Sequence, residues 1–253
     1  MSIVPVVTTT TAALDVDSIL ELLERMHPEE SQDPSEGLRE RKKRRARQKI
    51  SDVATAMFLV HGFDNVTVAQ IAGACEVSEQ TVFNYFPTKE SLFFDRSESM
   101  VNAVADAVRE RGSDSLTQAV VQALPGGIQR SPMEALDEAR QLELFRRFCE
   151  VATGSPALVA SRFPEFARFT EAVSVALAER VGAAPIDPEV QLAALIIGGL
   201  VRVRMQSTFH HVQQANSIAE LNDVVHRDIL RAAELAEPSL TAFDNMRSTL
   251  ARD

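Results

Sequence analysis

The chain has 253 residues, 45% of them hydrophobic and 25% charged, the balance of an ordinary globular protein that stays in water. Its two cysteines, Cys75 and Cys149, are too few and too far apart for a disulfide framework or a zinc site, and they fit a reducing cytoplasm. The longest apolar run, residues 192–201, falls well short of the roughly 20 residues that span a bilayer, so no membrane is expected.

A formal net charge of −10 argues against nucleic acid until its distribution is read. Residues 1–38 hold eight acidic side chains and one basic, net −7. Residues 39–49 (RERKKRRARQK) hold eight basic and one acidic, net +7. A concentrated basic segment is an electrostatic footprint for phosphate, and Arg41, Lys42, Lys43, Arg44, Arg45 and Arg47 could track a nucleic-acid backbone or enter a minor groove as an arm.

Residues 1–14 are rich in Thr, Val and Ala, and are predicted to lack fixed structure. Val16, Ile19, Leu20, Leu23 and Met26 recur at helical spacing, which predicts a short amphipathic helix over 15–27. Residues 28–37 read as an acidic linker, so 1–37 form an acidic extension. Its Asp15, Asp17, Glu21, Glu24, Glu29 and Glu30 are tethered close to Arg39–Lys49. They could compete with phosphate for those cations, with the Ile19/Leu23 face docked on the body, or form a solvated tail.

A helix is predicted from Leu38 to His61, closed by Gly62, with Val53, Ala54, Met57, Phe58 and Val60 as its buried stripe. Two short helices follow. Thr67 caps the first, with Gln70 completing a capping box and Val66/Ile71 a hydrophobic staple. Ser78 caps the second, with Val77/Val82 as its staple. Val68, Ile71, Ala72 and Cys75 share one face of the first; Val82 and Phe86 share one face of the second. The remaining face of the second carries Glu79, Gln80, Thr81, Asn84 and Tyr85. That is the layout of a helix-turn-helix whose second helix enters a DNA major groove. Gln pairs with adenine, Glu accepts from cytosine, and a Thr methyl touches thymine.

Thr88 should cap a long helix reaching Arg111. Ser115 with Gln118 opens a short helix to Leu124, broken by Pro125-Gly126-Gly127. Ser131-Pro132 with Glu134 opens one to about Thr153. Ser155-Pro156 opens the next, which Pro164 is expected to kink or interrupt before Val181. Asp187-Pro188 opens a strongly apolar helix to Val212, and Ser217 with Glu220 opens the last, to Ala236 or beyond. No segment alternates for long enough to demand a strand. The expectation is all-α, with nine helices, or ten with the N-terminal one.

Arg47 to Phe94 resembles the N-terminal DNA-binding domain of the tetracycline-repressor (TetR) family. The matching pieces are Ala54, Phe58, Gly62-Phe63, Thr67-Val68, Ile71-Ala72, Val77-Ser78, Thr81-Val82-Phe83, Tyr85-Phe86-Pro87-Thr88-Lys89-Glu90 and Leu92. The resemblance covers about 50 of the 253 residues. It implies base contacts from Glu79, Gln80, Thr81 and Asn84, and phosphate contacts at Thr67, Ser78, Phe83, Tyr85 and Lys89. Thr67, Ser78 and Thr88 are caps with or without DNA, whereas Tyr85 and Lys89 have no structural role visible in the sequence. The chain departs from the family at Glu76, where a turn glycine is usual, at Gln80, where a small residue is common, and at Phe83, where the family has tyrosine.

On this reading residues 38–94 form the helix-turn-helix domain, and residues 95–253 a ligand-binding and dimerisation domain. The helix over 189–212 is apolar almost all round, so it must be buried on more than one side, and Gly198-Gly199 permit close approach. The resemblance implies a homodimer joined by its last two helices, and a ligand cavity among the middle ones. Candidate walls are Phe145, Phe148, Cys149, Phe166, Phe169, Met205 and Phe209, with Arg202 and Gln206 as polar candidates and Arg146 and Arg168 beside them; each could equally be core or surface. His210-His211 point about 100° apart on a helix and cannot chelate together. No catalytic constellation, metal cluster or cofactor motif is visible. The expected function is a cytoplasmic, nucleoid-associated repressor. It would bind a pseudo-palindromic double-stranded operator and be released by a small-molecule effector. An activator or co-repressor-dependent regulator remains open, as does a helical ligand-binding protein that has lost DNA binding.

Overall fold

The computed structural model describes residues 15–25, 37–95, 97–110, 115–124 and 137–250. Expectations for residues 1–14, 26–36, 111, 125–127 and 131–136 lie outside them. Among the described residues there are eleven α-helices and no strand, an all-α fold.

α1 (Val16–Arg25) is opened by Asp15, whose carboxylate accepts from the Ser18 N–H at 2.8 Å and the Ser18 hydroxyl at 2.7 Å. α2 (Leu38–His61) ends at Gly62, where φ is +81°, a conformation only glycine adopts cheaply. α3 (Val68–Cys75), α4 (Glu79–Tyr85) and α5 (Lys89–Phe93) pack Ile71, Ala72, Cys75, Val82, Phe86 and Leu92 against Ile50, Val53, Ala54 and Phe58 of α2.

The long helix expected after Thr88 is two helices. α5 stops at Phe93, and Phe94 leaves helical geometry at φ −92°, ψ 9°. α6 (Ser97–Glu110) restarts after a short break. Asp95 in the break forms a 2.5 Å ion pair with Arg47 of α2, a close charge contact without hydrogen-bond alignment. α7 (Leu116–Ala123) begins with the expected Ser115/Gln118 capping box. α8 (Glu138–Gly154) is capped by Asp137, whose carboxylate accepts from the Arg140 N–H at 2.8 Å.

α9 (Pro156–Val181) runs through Pro164 without interruption. Pro164 and Ala160 both lie on the exposed side, where water can bond the carbonyl that the proline leaves without its N–H. α10 (Pro188–His211) starts at the expected place, but Asp187 does not cap it. Its carboxylate accepts from the Ala184 N–H at 3.0 Å instead. α11 (Ile218–Leu250) likewise continues past an exposed proline, Pro238.

α6, α7, α9, α10 and α11 share one core around Val104, Val120, Val173, Leu177, Ile197 and Leu240. α10 is long and apolar enough to cross a membrane by length and composition, at mean hydropathy 1.2. It packs on α9 and α11 and buries Val190, Ala193, Ala194, Ile197 and Leu200, the placement of a core helix. The two glycines of α10 differ. A Cβ on Gly198 would lie 2.8 Å from Cζ of Phe166, whereas one on Gly199 would meet nothing within 4 Å. Gly198→Ala is therefore expected to lower stability by about 1–2 kcal/mol despite alanine's better helix propensity, read as a lower denaturant midpoint. Gly199→Ala should not.

Candidate nucleic-acid interface

α3, α4 and the turn between them are built from local bonds. The Thr67 hydroxyl accepts from the Gln70 N–H at 3.2 Å, and the Gln70 side-chain Oε1 accepts from the Thr67 N–H at 2.8 Å. α3 closes with the Val77 N–H bonded to the Ala72 carbonyl at 3.0 Å and Glu76 at φ +59°, ψ +39°. Glu76 thus holds the left-handed position that favours glycine, at a cost on the order of 1 kcal/mol. Ser78 then starts α4, its hydroxyl accepting from the Thr81 N–H at 3.1 Å and lying 2.8 Å from the Thr81 hydroxyl.

Val82 and Phe86 bury the back of α4, and Glu79, Gln80, Phe83 and Asn84 are left exposed. Thr81 and Tyr85 are half-buried at its edges, Tyr85 against the core of this unit. Gln80 donates to the Asn84 side-chain carbonyl at 3.1 Å, so two amides that could read base edges hold one another in place. Phe83 is 42% exposed, a large apolar surface on an otherwise polar face.

Two cations that the sequence placed toward phosphate have intramolecular partners. Lys89 donates from Nζ to the Phe63 carbonyl at 2.6 Å and lies 4.1 Å from the Phe63 ring centroid. Burial holds its pKa below the ordinary lysine value, against the opposing pull of Asp64 and Glu90. Its structural role was not visible in the sequence. Arg47 pairs with Asp95 and lies 4.9 Å from the Phe86 ring centroid, tying α2 to the end of α4 and to the α5–α6 break. Lys42, Lys43, Arg44 and Arg45 are exposed and Arg41 half-exposed on the first turns of α2. Positive charge there opposes the helix dipole, so an anion alongside these turns is favoured.

Residues 50–95, which contain this whole arrangement apart from the basic turns, match the bacterial regulatory proteins of the tetR family. They are a tetR-family domain. The chain is 30% identical over 151 residues to the HTH-type transcriptional regulator TcmR of Streptomyces glaucescens, a match covering 58% of this chain and 63% of TcmR. The chain therefore spans somewhat less than two thirds of that relative. It is 26% identical over 143 residues to MftR of Mycobacterium tuberculosis, a protein proposed to regulate mycofactocin biosynthesis, covering 54% of this chain and 67% of MftR. A TetR transcriptional regulator from Rhodococcus sp. RHA1 superimposes with a TM-score of 0.43 at 20% identity, covering 77% of this chain and 97% of that one.

Beyond the tetR-family domain, the candidate ligand walls separate into two groups. Phe145, Phe148, Cys149 and Phe209 meet where α8, α10 and α11 come together. The Phe145 and Phe148 rings are parallel within 6° at 6.3 Å, and Arg162 lies 5.0 Å from the Phe209 centroid. Cys149 is buried and its thiol is pushed up to about 12, by burial first and Glu150 second, against Arg162. Phe166 and Phe169 belong to the α9–α10 contact, Phe166 over Gly198 and Phe169 in the main core. Arg146 donates to the Val212 and Ala215 carbonyls beyond the end of α10. Arg168 pairs with Glu165 on an exposed face, Met205 is half-buried, and Arg202 is exposed. Gln206 lines a surface groove of about 650 Å³ between α10 and α11, with Ser207, His211 and Asp228.

The sequence reading missed the residues that join the tetR-family domain to the later helices. Phe148 stacks on Phe93 with centroids 4.7 Å apart and planes within 9°. Arg147 donates to the Leu59 carbonyl at 2.7 Å, and the Ser155 hydroxyl donates to Asp64 at 2.8 Å. No local pattern announces these pairs.

Proposed function

We propose that this chain is a homodimeric, sequence-specific DNA-binding regulator of the cytoplasm, a repressor that leaves its operator when a small molecule binds. The exposed face of α4 is the observation that carries the reading. It presents Glu79, the linked Gln80–Asn84 amides and the edge residue Thr81 on a helix whose back is fully buried, with the exposed basic turns of α2 in the same unit. Base-edge groups on a rigid helix read sequence, and nearby cations supply affinity and register.

The dimer reading rests on α10 and α11. Leu192 and Leu195 are 58% and 52% exposed, and Leu235 of α11 is 85% exposed. Apolar side chains left open on two neighbouring long helices fit a second copy. The effector would enter the Phe145, Phe148, Cys149 and Phe209 cluster, because a displaced Phe148 presses on Phe93 and so on the DNA-reading unit. The coupling between the two sites need be only about 1–3 kcal/mol.

Gln80→Ala and Thr81→Ala should each weaken binding to an operator recovered by selection by about 1–3 kcal/mol and relax preference at one or two base pairs. Fluorescence anisotropy titration checks this, with circular dichroism confirming the fold. Unchanged affinity and preference in both variants would remove α4 from the interface.

A further inference from the structure

α1 lies before the tetR-family domain and is not covered by the family match. It does not stand off as a solvated segment. Ile19 is fully buried, in a cluster with Ala56 and Leu59 of α2 and Leu144 of α8. Val16, Leu20, Val60 and Phe148 pack against this cluster. The cluster that α1 joins therefore draws on the DNA-reading unit and on the later helices, with α2 as the main partner of α1. The same joint holds the Arg147–Leu59 hydrogen bond and the Phe93–Phe148 stack. Ile19 on the apolar side of α1 shares its cluster with Ala56 and Leu59, in the C-terminal half of α2. The buried part of its contact is hydrophobic packing at a joint.

We infer that α1 is an intramolecular brace: an amphipathic helix docked in the α2–α8 groove that fixes the DNA-reading unit on the rest of the chain. A cluster shared by α1, α2 and α8 loses packing when α2 and α8 shift against one another, so docking of α1 favours one relative placement of the two. Resting on the proposed function, the brace also narrows the range of separations between the two α4 helices of a dimer, and preorganisation of that kind tightens operator binding.

Amide hydrogen exchange on the full-length protein tests this without any DNA. Ile19→Asp should speed exchange several-fold in residues 50–61 and 142–152 while leaving residues 193–201 of α10 unchanged. Ile19→Ala should give a smaller rise in the same two segments, and the solvent-side control Asp17→Asn none. Unchanged exchange at both walls, with α1 itself deprotected, would overturn the brace; so would an equal rise everywhere, which marks general destabilisation. Operator affinity should fall several-fold in Ile19→Asp. Raised exchange at the walls with unchanged affinity would overturn the link to DNA alone and leave the reading of α4 intact.

Discussion

Replacing Lys42, Lys43 and Arg45 together with glutamine should flatten the plot of log affinity against log salt by roughly three units. Each phosphate contact releases condensed counterions on binding, and its loss removes about 0.9 from the slope on duplex DNA. These three side chains are exposed on the first turns of α2. The loss should be similar for operator and random DNA, because phosphates carry no sequence. Lys89 and Arg47 provide the contrast. Lys89 is engaged with the Phe63 carbonyl and Arg47 with Asp95. Lys89→Gln and Arg47→Gln should therefore lower thermal stability and leave the slope nearly as it was. An unchanged slope in the triple variant, or a slope lowered by a full unit in Lys89→Gln, would show that the phosphate-facing cations have been assigned wrongly.

Leu192→Asp combined with Leu195→Asp should convert the protein to monomers at micromolar concentration. Both side chains are exposed on α10 in a single chain, so aspartate costs that chain little. In a dimer each becomes a buried unpaired charge, and symmetry doubles the number. A cost of several kcal/mol per buried charge raises the dissociation constant by more than about a thousandfold. Sedimentation velocity should show a single species at the chain mass of 27.8 kDa with helical content retained. Operator affinity should collapse with it, since one recognition helix reaches only one half-site. A variant that stays dimeric would place the subunit contact elsewhere.

What the sequence revealed and what it hid divide along a physical line. The caps at Thr67, Ser78, Ser115 and Ser217 act over three residues, and the structure forms each where the local pattern places it. The apolar back of α4 was legible for the same reason, since Val82 and Phe86 stand one helical turn apart. The Lys89–Phe63 and Arg147–Leu59 bonds join residues 26 and 88 positions apart, and neither residue type advertises its partner. The break after Phe93 was hidden likewise, and Asp95 within it pairs with Arg47 of another helix. Pro164 does not interrupt α9 as the local rule allowed, because it sits where solvent can satisfy the freed carbonyl. The aromatic residues of α8 were visible as a stripe, but only packing shows that Phe148 faces Phe93 across the joint.

Selection of bound fragments from a random DNA pool, run in parallel on the full-length protein and on the Gln80→Ala/Thr81→Ala double variant, tests sequence reading by α4 most directly. The native protein should enrich a pseudo-palindrome with half-site centres about one helical turn apart, roughly 34–36 Å, and the double variant should lose preference within each half-site. A pool left without an enriched sequence by the native protein, or the same motif returned by both proteins, would contradict it.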